Sequence, residues 1–152
     1  RPSGSPSTAP RWRSQRQPGD LVPAPWPDGP IASIDPADIA AVAASVLTEP
    51  GYERAAPSLS GPQPLTPGEQ VATLAQALQR PLRYEALDDE QARAAMATDT
   101  PADFIDAFFR FFSHGEFDDA AVLDGVQQIT GHPPRTFAQW AEAHAHAFSN
   151  GR

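Results

Sequence analysis

Two carboxylates spaced three residues apart, Asp35 and Asp38, are the first candidates for chemistry in this chain. A carboxyl pair can act as a general acid and a general base. Both positions also suit the start of a helix, because Asp35 precedes Pro36 and Asp38 would place negative charge beside the positive end of the helix dipole. We favour the capping role, so the sequence assigns no catalytic residue.

The other reactive side chains lack partners at a useful spacing. His144 and His146 are two residues apart on a predicted helix, so they lie on opposite sides of it and make a poor metal pair. No other His or carboxylate cluster has ligand spacing, and we expect no metal site. The chain contains no Cys and no Lys, which excludes thiolate chemistry and leaves Tyr52 and Tyr84 without a Tyr-x-x-x-Lys partner. It also contains no G-x-G-x-x-G or G-x-x-G-x-x-G turn of the kind that binds a dinucleotide.

The charge of the 152-residue chain is acidic and unevenly spread. The net charge is −8, but residues 1–20 carry +3, because four Arg are opposed by one Asp there. The acidic body argues against a nucleic-acid surface, and we interpret the basic, Ser/Pro-rich start as an irregular, disordered arm. No stretch approaches the roughly 20 apolar residues of a membrane span. We therefore expect a cytoplasmic protein with no nucleic-acid or membrane partner.

The elements that would position a site form an α/β pattern of short strands with about five helices. Strands are predicted over Leu21–Pro25, Ile31–Ile34 and Leu82–Leu87, with a weaker one over Arg54–Leu59. Caps and apolar periodicity predict helices over residues 36–47, 67–78, 89–97, 101–112 and 136–148, with a further short one over 120–130. Thr66-Pro67 with Glu69 forms a complete capping-box signature. If Gln79 is left-handed at the end of its helix, it costs roughly 1 kcal/mol relative to Gly.

The helix after Thr100-Pro101 is unusually aromatic. Its large apolar residues cover more than one face, so we expect it to be buried on two sides. They are Phe104, Ile105, Phe108, Phe109, Phe111 and Phe112. The plain interpretation is a core helix, which we favour. Alternatively, Phe108 and Phe112 line a substrate pocket for a planar or apolar ligand, or the helix docks on a part of the molecule outside this chain. If the chain stands alone, the exposed part of the helix would promote self-association. Trp26 is either a substrate-lid residue or, as we favour, an aromatic plug under its proline loop.

The order of several segments resembles a known family. The stretch IDPADIAAVAASVLTEPG, the preceding APWPDG and the later LSGPQPLTPGEQVATLAQALQRPLRYEAL are similar to the C-terminal half of NmrA-like atypical short-chain dehydrogenases, which are NAD(P)-binding proteins of the extended Rossmann type. The order is Asp-x-x-Asp-Ile-Ala, then Leu-Ser-Gly-Pro, a Thr-Pro-x-Glu helix, and Arg-Pro-Leu-Arg-Tyr. The resemblance runs through most of Trp12–Phe148.

The resemblance implies a domain organisation and a cofactor. Residues 21–148 would be the C-terminal, substrate-side α/β portion of an extended Rossmann-type domain, with an arm at 1–20, a tail at 149–152, and the nucleotide-binding half missing. The family pattern would place Pro2 and Ser3 at the cofactor. Ser3–Pro10 depart from that pattern as a frameshift or a degenerate end would, and the chain does not begin with Met, so we expect a fragment. NAD(P) would bind the full-length parent, and we expect none to bind tightly to this chain alone.

Three functional hypotheses follow. In the first, the chain contributes the substrate-side half of an NAD(P)-dependent oxidoreductase that acts on a small organic substrate and is inactive alone. In the second, suggested by the same family resemblance, the parent is a non-enzymatic NAD(P)-sensing regulator that binds a partner protein. In the third, the chain is a free-standing helical interaction module that presents the Phe104–Phe112 face.

Overall fold

The computed structural model describes residues 20–113 and 118–149, apart from the side chains of Phe111, Ser113 and Ser149. Within these residues, two short strands and six helices follow one another in an α/β arrangement. The elements are β1 (Leu21–Ala24), α1 (Pro36–Thr48), α2 (Pro67–Leu78), β2 (Arg83–Ala86), α3 (Asp89–Met96), α4 (Ala102–Ser113), α5 (Gly125–Thr130) and α6 (Phe137–Ser149). Residues 1–19 of the arm, residues 114–117 and the last three residues lie outside the described residues.

The two strands form a parallel pair, with Leu21 opposite Arg83 and Ala24 opposite Ala86. The crossover between them carries α1 and α2, as a parallel connection requires. The Tyr84 hydroxyl donates a hydrogen bond to the Ala24 carbonyl at 3.0 Å, which adds a side-chain link between the two strands. The strands predicted near residues 21 and 82 are confirmed.

The segment Ile31–Ile34, predicted as a strand, is instead a junction. Ile31 exchanges two backbone hydrogen bonds with Leu65, which makes one isolated antiparallel bridge. The Ala32 amide donates to the Asp119 carbonyl at 2.7 Å, and the Gly61 amide donates to the Ala32 carbonyl at 2.9 Å. The strand prediction is wrong because the partners of this extended segment come from three different parts of the chain.

Two further predictions of local structure are corrected. Arg54–Leu59 contains no regular strand, since Arg54 is left-handed with φ 70° and Leu59 is a single β-bridge position. The short helix predicted over 120–130 begins only at Gly125. The residues before it stay non-helical, because the Leu123 amide donates to the buried Ser60 hydroxyl at 2.7 Å.

Helix starts follow the predicted local chemistry. Asp35 accepts from the Ala37 amide at 2.8 Å. Thr66 and Glu69 form the reciprocal capping box, and these hydrogen bonds from Thr66 lower the pKa of the Glu69 carboxyl. At the end of the same helix, Gln79 is left-handed with φ 50°, the conformation in which Gly would be favoured.

The core consists of three small clusters. The first joins α2 to α6 through Leu74, Phe137, Trp140 and Ala141. The second joins α1 to α5 and contains Ile34, Val42, Leu59 and Val126. The third joins α3 to α4 and contains Ala92, Met96, Ile105 and Phe109, with Trp26 packed against it. The apolar residues Ile39, Val42, Ala43, Val46 and Leu47 have the spacing of one buried face of α1. Leu47 is nevertheless 84% exposed.

Candidate functional site

The carboxylates of Asp35 and Asp38 both have structural partners. Asp35 is buried and caps α1. Asp38, also buried, accepts two hydrogen bonds from Arg135, one from the arginine's backbone amide at 2.7 Å and one from its guanidinium at 2.5 Å. Sequence reasoning missed Arg135, because no local signal connects it to a residue so far away in the chain. The pair is an ion pair that joins two elements, and the acid and base role is not supported.

A cleft of about 430 Å³ lies beside this pair, between the first turn of α1 and the exposed side of α6. It is lined by Asp35, Pro36, Ala37, Arg135, Gln139, Ala143 and His144. His144 Nδ1 lies 2.8 Å from the Trp140 carbonyl, and its ring stacks on Trp140 with centroids 5.1 Å apart. Gln139 accepts from the Thr136 amide at 2.9 Å. The polar groups of this cleft therefore mainly hold the two helices in place.

A second candidate is the aromatic surface, which we define as Trp26, Phe104, Phe108 and Phe112. Phe104, Phe108 and Phe112 recur every four residues, so they form one row along α4. The rings of Phe108 and Phe112 are nearly parallel, at 22° and 6.4 Å between centroids. Trp26 lies over Phe112 at 4.7 Å and 30°. The structure thus brings together all three residues predicted for a substrate pocket, Trp26, Phe108 and Phe112.

The neighbouring face of α4 is the one that enters the core. Ile105 and Phe109 are buried there, and Trp26 meets the edge of the Phe109 ring at 5.3 Å. The Arg93 guanidinium covers Phe109 at 4.1 Å from the ring centroid. Phe108 and Phe112 are only half-buried, and Phe104 is 62% exposed. Within the described residues, Ile105 and Phe109 bury one side of α4 and Trp26 covers part of a second side, so the expectation that α4 is buried on two sides is wrong for this part of the chain.

Tyr84 is not arranged as a proton donor to a ligand. Burial raises the pKa of the Tyr84 phenol, and the nearby charge of Asp28 raises it further. Its hydroxyl is also engaged with the Ala24 carbonyl. Among the described ranges, no group of three or more His, Asp and Glu side chains could hold a metal ion. Catalytic residues stay unassigned.

The described residues do not fit a dinucleotide. A pyrophosphate needs unoccupied N–H groups at a helix start that follows a strand and a glycine-rich turn. In α1, α2, α3 and α6 the cap side chain takes a first-turn N–H, and in α1 and α3 that side chain is itself an aspartate. An aspartate at this position would repel phosphate. Pro2 and Ser3, predicted at the cofactor, lie outside the described residues.

In the part of the chain that the structure describes, no helix is both long enough and apolar enough to cross a membrane.

Comparison with known proteins shows what the chain is similar to. No protein-family model matches it. It is 44% identical over 126 residues to an NAD(P)H azoreductase of Xenophilus azovorans, which covers 82% of this chain and 44% of that protein. It is 38% identical over 139 residues to a (4-alkanoyl-5-oxo-2,5-dihydrofuran-3-yl)methyl phosphate reductase of Streptomyces griseus, which covers 91% of this chain and 49% of that protein.

Solved structures agree with these relatives. The NADPH-dependent quinone oxidoreductase QOR2 of Escherichia coli has a TM-score of 0.64 and 26% identity, covering 94% of this chain and 50% of that one. A nucleoside-diphosphate-sugar epimerase of Staphylococcus aureus, at 16% identity and a TM-score of 0.71, shows the fold alone. The chain spans about half the length of the curated relatives it matches.

Proposed function

We propose, from the premise that this chain belongs to the NmrA-like atypical short-chain dehydrogenases of the Rossmann type, that it contributes the substrate-side half of an NAD(P)H-dependent oxidoreductase. The relatives at 38% and 44% identity are both reductases, and each is about twice as long as this chain. In this proposal the nucleotide-binding site lies in the other half of a protein about twice as long as this chain. The chain alone binds NAD(P) weakly and catalyses no turnover.

The observation that carries the substrate side of the proposal is the aromatic surface. A row of Phe104, Phe108 and Phe112 on one side of α4 offers flat apolar rings that do not contribute to the core cluster of Ile105 and Phe109. Rings in this arrangement favour a planar, apolar ligand by offset or edge-to-face packing. Two of the similar proteins are named for azo and quinone reduction. The proposed substrate is therefore a small organic molecule with a planar ring, held at Trp26, Phe108 and Phe112.

The test is a protein of the relatives' length. The nucleotide-binding half of the azoreductase, fused to this chain, is assayed for NADPH oxidation with a panel of quinones, azo compounds and carbonyls. We expect acceptor-dependent oxidation by the fusion and none by the chain alone. Phe108→Ala is expected to raise KM with little change in kcat, because it removes binding area rather than a reacting group. Leu47→Ala, on α1, is the matched control.

A fusion that is folded and binds NADPH, but shows no NADPH oxidation with any acceptor of the panel, would overturn the proposal. Turnover by the chain alone would contradict the assignment of the cofactor site to the other half. The same proposal includes a cytoplasmic location and no nucleic-acid or membrane partner. The net charge of −8 supports the part about nucleic acids.

A second candidate function rests on one observation, the exposure of Phe104. A large apolar side chain left in water beside other aromatic rings favours association between copies of the chain. Sedimentation over a range of concentrations tests it. A concentration-dependent dimer that Phe104→Ser abolishes would support an interaction module, and a monomer at all concentrations would exclude it.

A further inference from the structure

Trp26 is carried by a loop with little conformational freedom. The Pro25–Pro30 loop contains three prolines, and each proline ring fixes its own φ. The Gly29 amide donates to the Trp26 carbonyl at 3.0 Å and closes a tight turn. A Cβ at Gly29 would lie 3.3 Å from both the Cβ and the carbonyl oxygen of Trp26, so the turn closes tightly against this residue.

The ends of this loop are anchored to different elements. At its start, the Ala24 carbonyl accepts from the Tyr84 hydroxyl at 3.0 Å and from the Leu87 amide at 3.1 Å. At its end, the Ile31 amide donates to the Leu65 carbonyl at 3.0 Å. A loop held this way does not swing as a lid. It behaves as a fixed wall.

The backbone of Trp26 supports the same conclusion. Its φ of 56° is left-handed, an uncommon conformation for a bulky residue. A strained backbone conformation of this kind persists when surrounding contacts hold it in place. Here the indole is held by an edge-to-face contact with Phe109 at 5.3 Å and by Phe112 at 4.7 Å.

The position of the indole closes one end of the aromatic surface. A ring inserted between Trp26 and Phe112 would need about 3.5 Å of contact distance on each side. Their centroids are only 4.7 Å apart, so no ring fits between them. At the other end of the row, Phe104 is exposed and leaves the surface open.

We propose that Trp26 is a specificity-determining residue that limits how long a planar ring system the aromatic surface accepts. A ligand enters from the Phe104 side, lies against Phe108 and Phe112, and stops at the indole. This inference rests on the proposed function, in which the same surface holds the substrate. Removing the indole opens space of about one ring at the closed end.

The experiment uses two probes that differ by one fused ring, naphthalene-2-sulfonate and anthracene-2-sulfonate, and needs no cofactor. Dissociation constants for the whole chain are measured by fluorescence anisotropy of each probe. The ratio of anthracene to naphthalene affinity is compared among the unmodified chain, Trp26→Ala, Trp26→Phe and the control Leu47→Ala. We expect the ratio to rise about tenfold in Trp26→Ala, by less in Trp26→Phe, and not at all in Leu47→Ala.

An unchanged ratio in a Trp26→Ala chain that is folded by circular dichroism would overturn the proposal, as would the lack of saturable binding to the unmodified chain. If Trp26→Ala fails to fold, the affinity ratio of Trp26→Phe is used instead, and an unchanged ratio in that variant would overturn the proposal. Saturable binding with an unchanged ratio removes the role of Trp26 but leaves the proposed function standing. That function depends separately on NADPH oxidation by the fusion.

Discussion

The carboxylate of Asp38 binds Arg135, 97 residues later in the chain, through the arginine's backbone amide at 2.7 Å and its guanidinium at 2.5 Å. The carboxylate is buried, while the arginine side chain is half exposed. One side chain thus ties the start of α1 to the segment that leads into α6. A buried acceptor with two donors is expected to matter more than a surface ion pair.

Asp38→Ala is therefore expected to lower the free energy of unfolding by about 1–3 kcal/mol, because the Arg135 amide loses its acceptor. Denaturant unfolding measures the change. Arg80→Ala, which breaks the more exposed pair with Asp20, should cost less than about 1 kcal/mol. Equal losses in the two variants would show that the burial of Asp38 carries no extra stability.

Asp35→Ala should lower stability by about 1 kcal/mol, since the Ala37 amide loses its cap. Asp35→Ser keeps an oxygen at the cap and should recover most of this loss. The measurement is the melting temperature of the three chains. An unchanged value in Asp35→Ala would remove the capping role and return Asp35 to the list of candidate site residues.

Gly61 is a position where backbone segments approach too closely for a side chain. A Cβ there would lie 1.9 Å from the Ser33 carbonyl oxygen, so the Ile31–Ile34 junction would have to shift. Gly61→Ala should cost about 1–3 kcal/mol or more. Gly68→Ala is the matched control, since its Cβ would make an ordinary 3.4 Å contact with Tyr84 inside a helix. Comparable losses in both variants would contradict the close approach at Gly61.

Gln79→Gly should stabilise the chain by up to about 1 kcal/mol, because Gln79 is left-handed at the end of α2. Gln76→Gly, in the exposed interior of the same helix, should instead destabilise by a similar amount. Thermal melts of the two variants are expected to shift in opposite directions. A loss of stability in Gln79→Gly would mean that the glutamine side chain contributes more than its backbone strain.

Stability should respond to pH through Asp119. Burial raises the pKa of its carboxyl, and the neighbouring Asp118 charge raises it further. The folded state then binds the proton more tightly than the unfolded state, so stability falls as pH rises from the unfolded pKa through the folded pKa. Asp119→Asn should raise the melting temperature at pH 7, with the gain vanishing near pH 3, at roughly a unit below the unfolded pKa. An equal gain at both pH values would contradict this.

The features that the sequence predicted well are those decided within a few residues. The caps at Asp35, Thr66 and Asp88 involve a side chain and a backbone N–H two or three positions away. Such signals are present in any local window of the chain.

The failures concern partners that lie far apart in the chain. The alternation of Ile31–Ile34 indicated a strand, but Asp119 and Gly61, rather than one neighbouring strand, take up its hydrogen bonds. Residues 120–124 have helical periodicity, yet they are not helical, and the Leu123 amide donates to Ser60 instead. For the candidate site, Trp26, Phe108 and Phe112 could be named from their types, while the stacking of Trp26 on Phe112 required the fold.

The junction at Ile31–Ile34 has a consequence for how the chain folds. Its hydrogen bonds reach Gly61, Leu65 and Asp119, so it completes only after large loops have closed, and loop closure slows folding more than it reduces stability. The helices that follow it, α1 and α2, have strong local start signals and can form early. A chain shortened before Asp119 would keep α1 to α4 but lose one hydrogen-bond partner of the junction together with α5 and α6, and is expected to collapse without reaching a single packed state.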